Sequence, residues 1–208
     1  MDHGDDLTWV LLVPQVPAVP SSARVHLWRH LRAAGALSVQ NGVWVLPATA
    51  AHEQTLREEL ALIVRQGGTG LLFRAQTLAP VLSGDLVGRF RAERDQDYAE
   101  VCERCQALRD ELARETQAGK QTFAELEENE HDLAKLERWL TQIQARDFFS
   151  ASLASSALAA LAACREDLAA FTAAVYQREG LMDSTDTPDT PDTSDTSDTS
   201  DTPDTKDP

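Results

Sequence analysis

Apolar side chains recur at intervals of three and four residues in three separate runs of the second half of the chain. Tyr98, Val101, Cys105, Leu108 and Leu112 make the first; Leu126, Leu133, Leu136, Leu140 and Ile143 the second; Leu161, Cys164, Leu168, Phe171 and Val175 the third. That period belongs to one face of an α-helix and cannot belong to a strand. Each stripe must be buried against something. Gly119 and Arg146-Asp147 separate the runs, and Gly180 closes the last. Residues 84–180 are therefore expected to form an antiparallel bundle of long helices. Thr122 and Glu125 are spaced as a capping box, the hydroxyl serving the Glu125 amide and the carboxylate reaching back to the Thr122 amide. A helix of about 30 residues spans about 45 Å, so part of the bundle is expected to project and offer a dimer surface.

The first half reads differently. Thr8–Val13 is rich in strand-forming residues and Pro14 is expected to end it. Arg24–Ala34 reads as helix, with Val25, Trp28, Leu31 and Ala34 on one face and Gly35 as its stop. Leu37–Gln40 and Val43–Pro47 flank Asn41-Gly42, the pair that suits a type I′ hairpin turn. His52–Gln66 reads as a second helix with Leu56, Leu60, Ile63 and Val64 inward, and Gly70–Ala75 as a last strand. The order β-α-β-β-α-β within residues 8–82 predicts a ferredoxin-like unit. The expected fold class is α+β: this unit, the helical domain over 84–180, and a tail over 183–208.

The tail repeats Asp-Thr-Pro, Asp-Thr-Ser or Asp-Thr-Lys seven times from Asp186 to Lys206. It has almost nothing apolar to bury, so it is expected to be disordered. It also accounts for much of the charge. The chain has a formal net charge of −15. Residues from Asp183 onward contribute −8, residues 93–182 contribute −8, and residues 1–92 contribute +1. Acidity on this scale argues against non-specific nucleic-acid binding by the whole chain. It leaves the first unit open to an anionic partner.

No stretch reaches the about 18 consecutive apolar residues of a membrane-spanning helix. The N-terminal Met1-Asp2-His3-Gly4-Asp5-Asp6 is acidic where a signal peptide is basic, and three cysteines make no disulfide framework. A cytoplasmic chain is expected, with no membrane partner.

The basic residues of the first helix are the leading candidates for a binding site. Arg24, Arg29 and Arg32 lie there with His26 and His30, interleaved with Leu27 and Leu31. The planar guanidinium fork bonds two oxygens of a phosphate or oxyanion at once, so promoter DNA or a small oxyanion is the expected partner. Cys102 and Cys105 form C-x-x-C, but in mid-helix among Glu100, Glu103 and Asp110, where nothing lowers a thiol pKa. Cys105 also falls on the core stripe. Glu127, Glu130 and His131 share a helix face, yet no second E-x-x-H motif answers them as a di-iron bundle requires. No phosphate loop, nucleophile elbow or H-E-x-x-H is present. No catalytic residue, metal or cofactor is expected.

Specific segments combine into a resemblance. Trp9-Val10-Leu11-Leu12, Pro17, Pro20 to Arg24, Leu27-Trp28-Arg29, Leu31, Gly35-Ala36 and Asn41 to Pro47 resemble the N-terminal domain of ChrB, the chromate-resistance regulatory protein. Arg91 to Asp95, Asp97-Tyr98, Cys105, Glu115, Gly119-Lys120, Phe123 to Glu128 and Arg146-Asp147-Phe148-Phe149 extend the likeness through about residue 180. The first unit is also similar to the ferredoxin-like module of phenylacetate-pathway repressors and CRISPR-associated small nucleases. Those nucleases carry an acid at the end of the first strand, where Val13-Pro14-Gln15 stands here. The resemblance implies a cytoplasmic, chromate-responsive, non-enzymatic transcriptional regulator. Longer members have a further C-terminal domain, so it also implies the N-terminal half of a split regulator. The alternative is a non-catalytic dimerisation or interaction module that contacts neither DNA nor chromate, its helical domain pairing with a second copy or with a partner protein.

Overall fold

The computed structural model describes residues 7–17 and 21–180. The repeat tail lies outside the described residues. The elements run β1 (Thr8–Gln15), α1 (Ser21–Ala33), β2 (Leu37–Gln40), β3 (Val43–Pro47), α2 (Ala50–Arg65), β4 (Thr69–Gln76), α3 (Pro80–Gln117), α4 (Phe123–Gln144) and α5 (Ala154–Arg178). The fold is mixed α+β. Its four strands form one antiparallel sheet in the order β2-β3-β1-β4.

Alternation along β1 sends side chains to two faces, and both faces are covered. Val10 and Leu12 meet Leu27 and Leu31 of α1, Trp44 and Leu46 of β3, and Leu56 and Ile63 of α2 in one buried cluster. Trp9, on the opposite face, packs with Leu37, Val45 and Phe90, with Leu86, Val87, Phe148 and Phe149 around them. The second cover comes from the start of α3 and from the segment between α4 and α5. Helix α3 runs unbroken through Gly84 and Gly88, across the boundary expected at 82–84. Its 38 residues extend about 57 Å at 1.5 Å per residue. The later part of α3 joins α4 and α5 in a third core that gathers all three apolar stripes, from Tyr98 to Val175.

Several local expectations are corrected. Pro14 does not end β1, which pairs with β4 as far as Gln15↔Thr69. The pairing with β3 stops at Leu12↔Trp44, so beyond it β1 has a neighbour on one side only, where a residue without an N–H is tolerated. The Asn41-Gly42 hairpin forms, but only Gly42 has positive φ (77°). The turn is therefore not type I′, which needs positive φ at both central residues. A register shift between Ser38 and Gln40 takes up the difference. On α1 the buried face is Ala23, Leu27 and Leu31, while Val25 and Trp28 are 46% and 55% exposed. On α2, Val64 also faces outward. Thr122 caps α4 by accepting from the Glu125 amide at 3.3 Å, while its own amide donates to Lys120 O rather than to the Glu125 side chain.

Gly35 shows how tightly the parts meet. Its φ is +80°, and a Cβ there would lie 3.0 Å from both Arg146 Cβ and Phe148 Cζ. Gly42 shares the conformation (φ +77°) but would meet only Pro14 O at 4.0 Å. Gly35→Ala is therefore expected to cost about 1–3 kcal/mol, and Gly42→Ala nearer about 1 kcal/mol. Urea unfolding of both variants measures the order; equal costs would mean that the Arg146-Phe148 contact adds nothing.

Candidate functional site

With both faces of the sheet covered, α1 presents its remaining flanks outward. Arg24 and Trp28 are one turn apart and share the flank toward the β2–β3 hairpin. Together with Leu27, Pro14, Gln15, Val16, Gly42 and Trp44 they line an open cleft of about 410 Å³. The cleft lies where the pairing of β1 with β3 stops at Leu12↔Trp44, leaving Pro14 and Gln15 without a strand on that side. Its volume falls in the usual range of ligand sites. A guanidinium beside an exposed indole can pair with an anion and stack a planar group. Gln15 supplies amide polarity at its edge.

The three candidate arginines are not equivalent. Arg24 lines the cleft. Arg29, five residues beyond Arg24, is exposed on the outward side of α1 and makes no ion pair or side-chain hydrogen bond among the described residues. Arg32 turns away: its Nη1 donates to Glu93 Oε2 of α3 at 2.9 Å, and its carbonyl accepts from Arg146 at 3.3 Å. It fastens α1 to the helical half. Most of the other arginines of residues 1–92 are similarly engaged. Arg57 and Arg74 both pair with Glu53, and together, Arg74 foremost, they hold that carboxyl below its ordinary range. Arg89 donates to Ser38 O and Arg91 to Phe149 O, each at 2.8 Å.

The opposite flank of α1 holds a group that spacing in the chain could not bring together. His26 and His30 stack with ring centroids 3.9 Å apart, and Glu59 of α2 reaches them, its Oε1 2.8 Å from His30 Nδ1. Glu59 is 29 residues beyond His30 and buried. A carboxylate on the inner side of an amphipathic helix was the one available signal, at Glu59 between Leu56 and Ile63.

The remaining candidates are structural. Cys105 and Cys164 are buried in the helical core, where Cys164 Sγ donates to Cys105 O at 3.2 Å. Burial raises the pKa of all three thiols, that of Cys164 to about 12. Glu127, Glu128 and His131 lie on an open surface beside the Lys135–Asp132 ion pair of 2.7 Å, and Glu130 is exposed on the same helix. Buried polar residues hold the junction between the sheet and the helices. Arg94, 4% exposed, pairs with Asp97 at 3.2 Å. Tyr98 donates to Asp147 Oδ2 at 3.2 Å, and burial followed by the Asp147 charge pushes its phenol up to about 12.

This is an α+β protein whose outward surface gathers cation and indole at one cleft, and none of its described helices is long and apolar enough to cross a membrane. The chain belongs to the family described as Protein ChrB, N-terminal, whose model matches residues 24–182. No curated protein and no solved structure matches it.

Raised thiol pKa values leave little thiolate at pH 8, since the reactive form appears only as pH approaches the pKa. Iodoacetamide at pH 8 is expected to label Cys105 and Cys164 only after denaturation, as followed by mass spectrometry. Rapid labelling of Cys164 in the folded protein would contradict its placement.

Proposed function

We propose that this chain is a cytoplasmic, non-enzymatic regulator of chromate resistance that holds promoter DNA at the α1 cleft. Membership of the ChrB N-terminal family supports the chromate-resistance context. The observation that carries the binding role is the cleft itself, with Arg24 and Trp28 side by side, and Arg29 exposed on the adjoining outward side of α1. Guanidinium groups meet phosphate and the indole packs against sugar or base. In a chain of net charge −15, electrostatics favours this one surface and repels DNA from the helical half.

The proposal includes the finer fold and the division of the chain. Residues 8–82 are a ferredoxin-like unit, supported by the β2-β3-β1-β4 order and by two helices on one face. Residues 84–180 are an antiparallel helical bundle, supported by the shared core of α3, α4 and α5.

A specific observation favours a second reading, an interaction module pairing with a second copy or another protein. β4 is an edge strand, and Leu71 and Phe73 on it are 58% and 48% exposed; Val81 at the start of α3 is 68% exposed. Light scattering on the purified chain and on Phe73→Glu separates the two. A dimer that the substitution dissolves supports a protein interface there.

The DNA reading is tested by gel retardation of the protein's own promoter fragment. Arg24→Ala and Arg29→Ala are each expected to weaken binding and to lower the salt slope by about 1 per lost phosphate contact. Arg32→Ala is expected to act mainly on stability through the lost Glu93 contact. Absence of retardation at about 50 mM salt, with or without chromate, would end the DNA-binding proposal.

A further inference from the structure

We propose that His26, His30 and Glu59 form a site for a divalent transition-metal ion, with Zn²⁺ its expected occupant. The site lies on the flank of α1 away from Arg24 and Trp28, and its argument does not rest on the DNA reading.

Three observations converge. One potential ligand atom from each residue lies within 4.8 Å of the others. The His26-x-x-x-His30 spacing puts both imidazoles on one side of the helix, and their rings are 3.9 Å apart. Glu59 faces them from α2 with its side chain only 10% exposed, and its Oε2 is buried with no hydrogen-bond partner.

That last atom needs an explanation. A carboxylate oxygen removed from water and left unpaired is unfavourable. The His30 contact at 2.8 Å engages only the other oxygen. A cation placed among the three side chains would satisfy both the carboxylate and the imidazole lone pairs. Two His and one Glu are a ligand set that suits zinc, with bonds of about 2.0–2.2 Å. Small side-chain rotations bring donors within 4.8 Å to the about 3.4 Å that tetrahedral bonds of that length imply. Imidazole ligands also suit copper and nickel. The metal would take the place of the His30 Nδ1–Glu59 Oε1 hydrogen bond, and it would fasten α1 to α2 over the sheet. Both histidines are exposed, so the fourth position opens outward, to water or to a small anion.

The test uses the full chain, stripped with chelator and titrated with ZnCl₂ by calorimetry and thermal unfolding. The expected result is one ion per chain and a Tm that rises with zinc concentration. His26→Ala, at an exposed position that the fold does not need, is expected to lower affinity by more than about tenfold, at least the cost of disturbing an outer-shell partner. Glu59→Gln is expected to do the same, with circular dichroism confirming that it folds. The Cys102→Ser/Cys105→Ser variant and His131→Ala are expected to bind as the parent does. No heat and no Tm shift at about 0.1 mM Zn²⁺ would overturn the proposal. So would unchanged affinity in His26→Ala, or binding lost in the cysteine variant instead.

Discussion

Trp9 and Phe90 stack in parallel across the second face of the sheet, their ring centroids 5.7 Å apart and their planes within 7°. Phe149 leans on both rings at 5.9 and 5.4 Å, and Phe148 reaches from Phe90 to His52 at the start of α2. Each such pair adds about 0.5–1.5 kcal/mol beyond the area it buries, but its larger consequence is architectural. The rings come from β1, α3 and the α4–α5 connection, so the sheet cannot close its second face without the helices. Gly35 completes the junction, because only a residue without Cβ lets Arg146 and Phe148 approach the end of α1 so closely. Arg32, Arg94, Asp97, Tyr98 and Asp147 add a polar layer beside the aromatic one.

This junction determines where a ligand can bind. One sheet face is taken by α1 and α2 and the other by the aromatic wedge. The helical half spends its apolar stripes on its own core. The outer surface of α1 stays open, with a cleft toward the hairpin on one flank and the His26-His30-Glu59 group on the other, as do Leu71 and Phe73 on the edge strand β4. The basic residues follow the same logic. Arg32, Arg57, Arg74, Arg89 and Arg91 serve internal contacts. Of the other arginines in the first 92 residues, Arg24 lines the cleft, while Arg29 and Arg65 are exposed.

Much of this could be read in the sequence, and the limits have physical causes. The three stripes at intervals of three and four predicted three helices sharing a core, because burial of a helical face depends only on period. The succession of strands and helices along the first half followed from turn residues and short apolar runs. On α1, Leu31 is inward as expected, but Val25 and Trp28 satisfy a helical spacing as well as Ala23 and Leu27 do, and only the sheet decides which pair it covers. The second cover of the sheet was invisible, since Phe90 lies about 80 residues from Trp9 and Phe148 almost 60 from Phe90. The arginines of the candidate site were legible as a group. Their separation into a cleft residue, an exposed residue and a strut depends on Glu93, which reaches Arg32 across 61 positions.

The four tryptophans provide the most direct test of where a partner binds. Trp28 and Trp44 line the cleft, Trp9 is sealed under the aromatic wedge, and Trp139 packs against the helical core. Their indole N–H signals can be followed separately by NMR while promoter duplex is added. The account predicts that the Trp28 and Trp44 signals shift together while those of Trp9 and Trp139 stay in place. A shift at Trp139 with Trp28 unmoved would put the partner on the helices and contradict it.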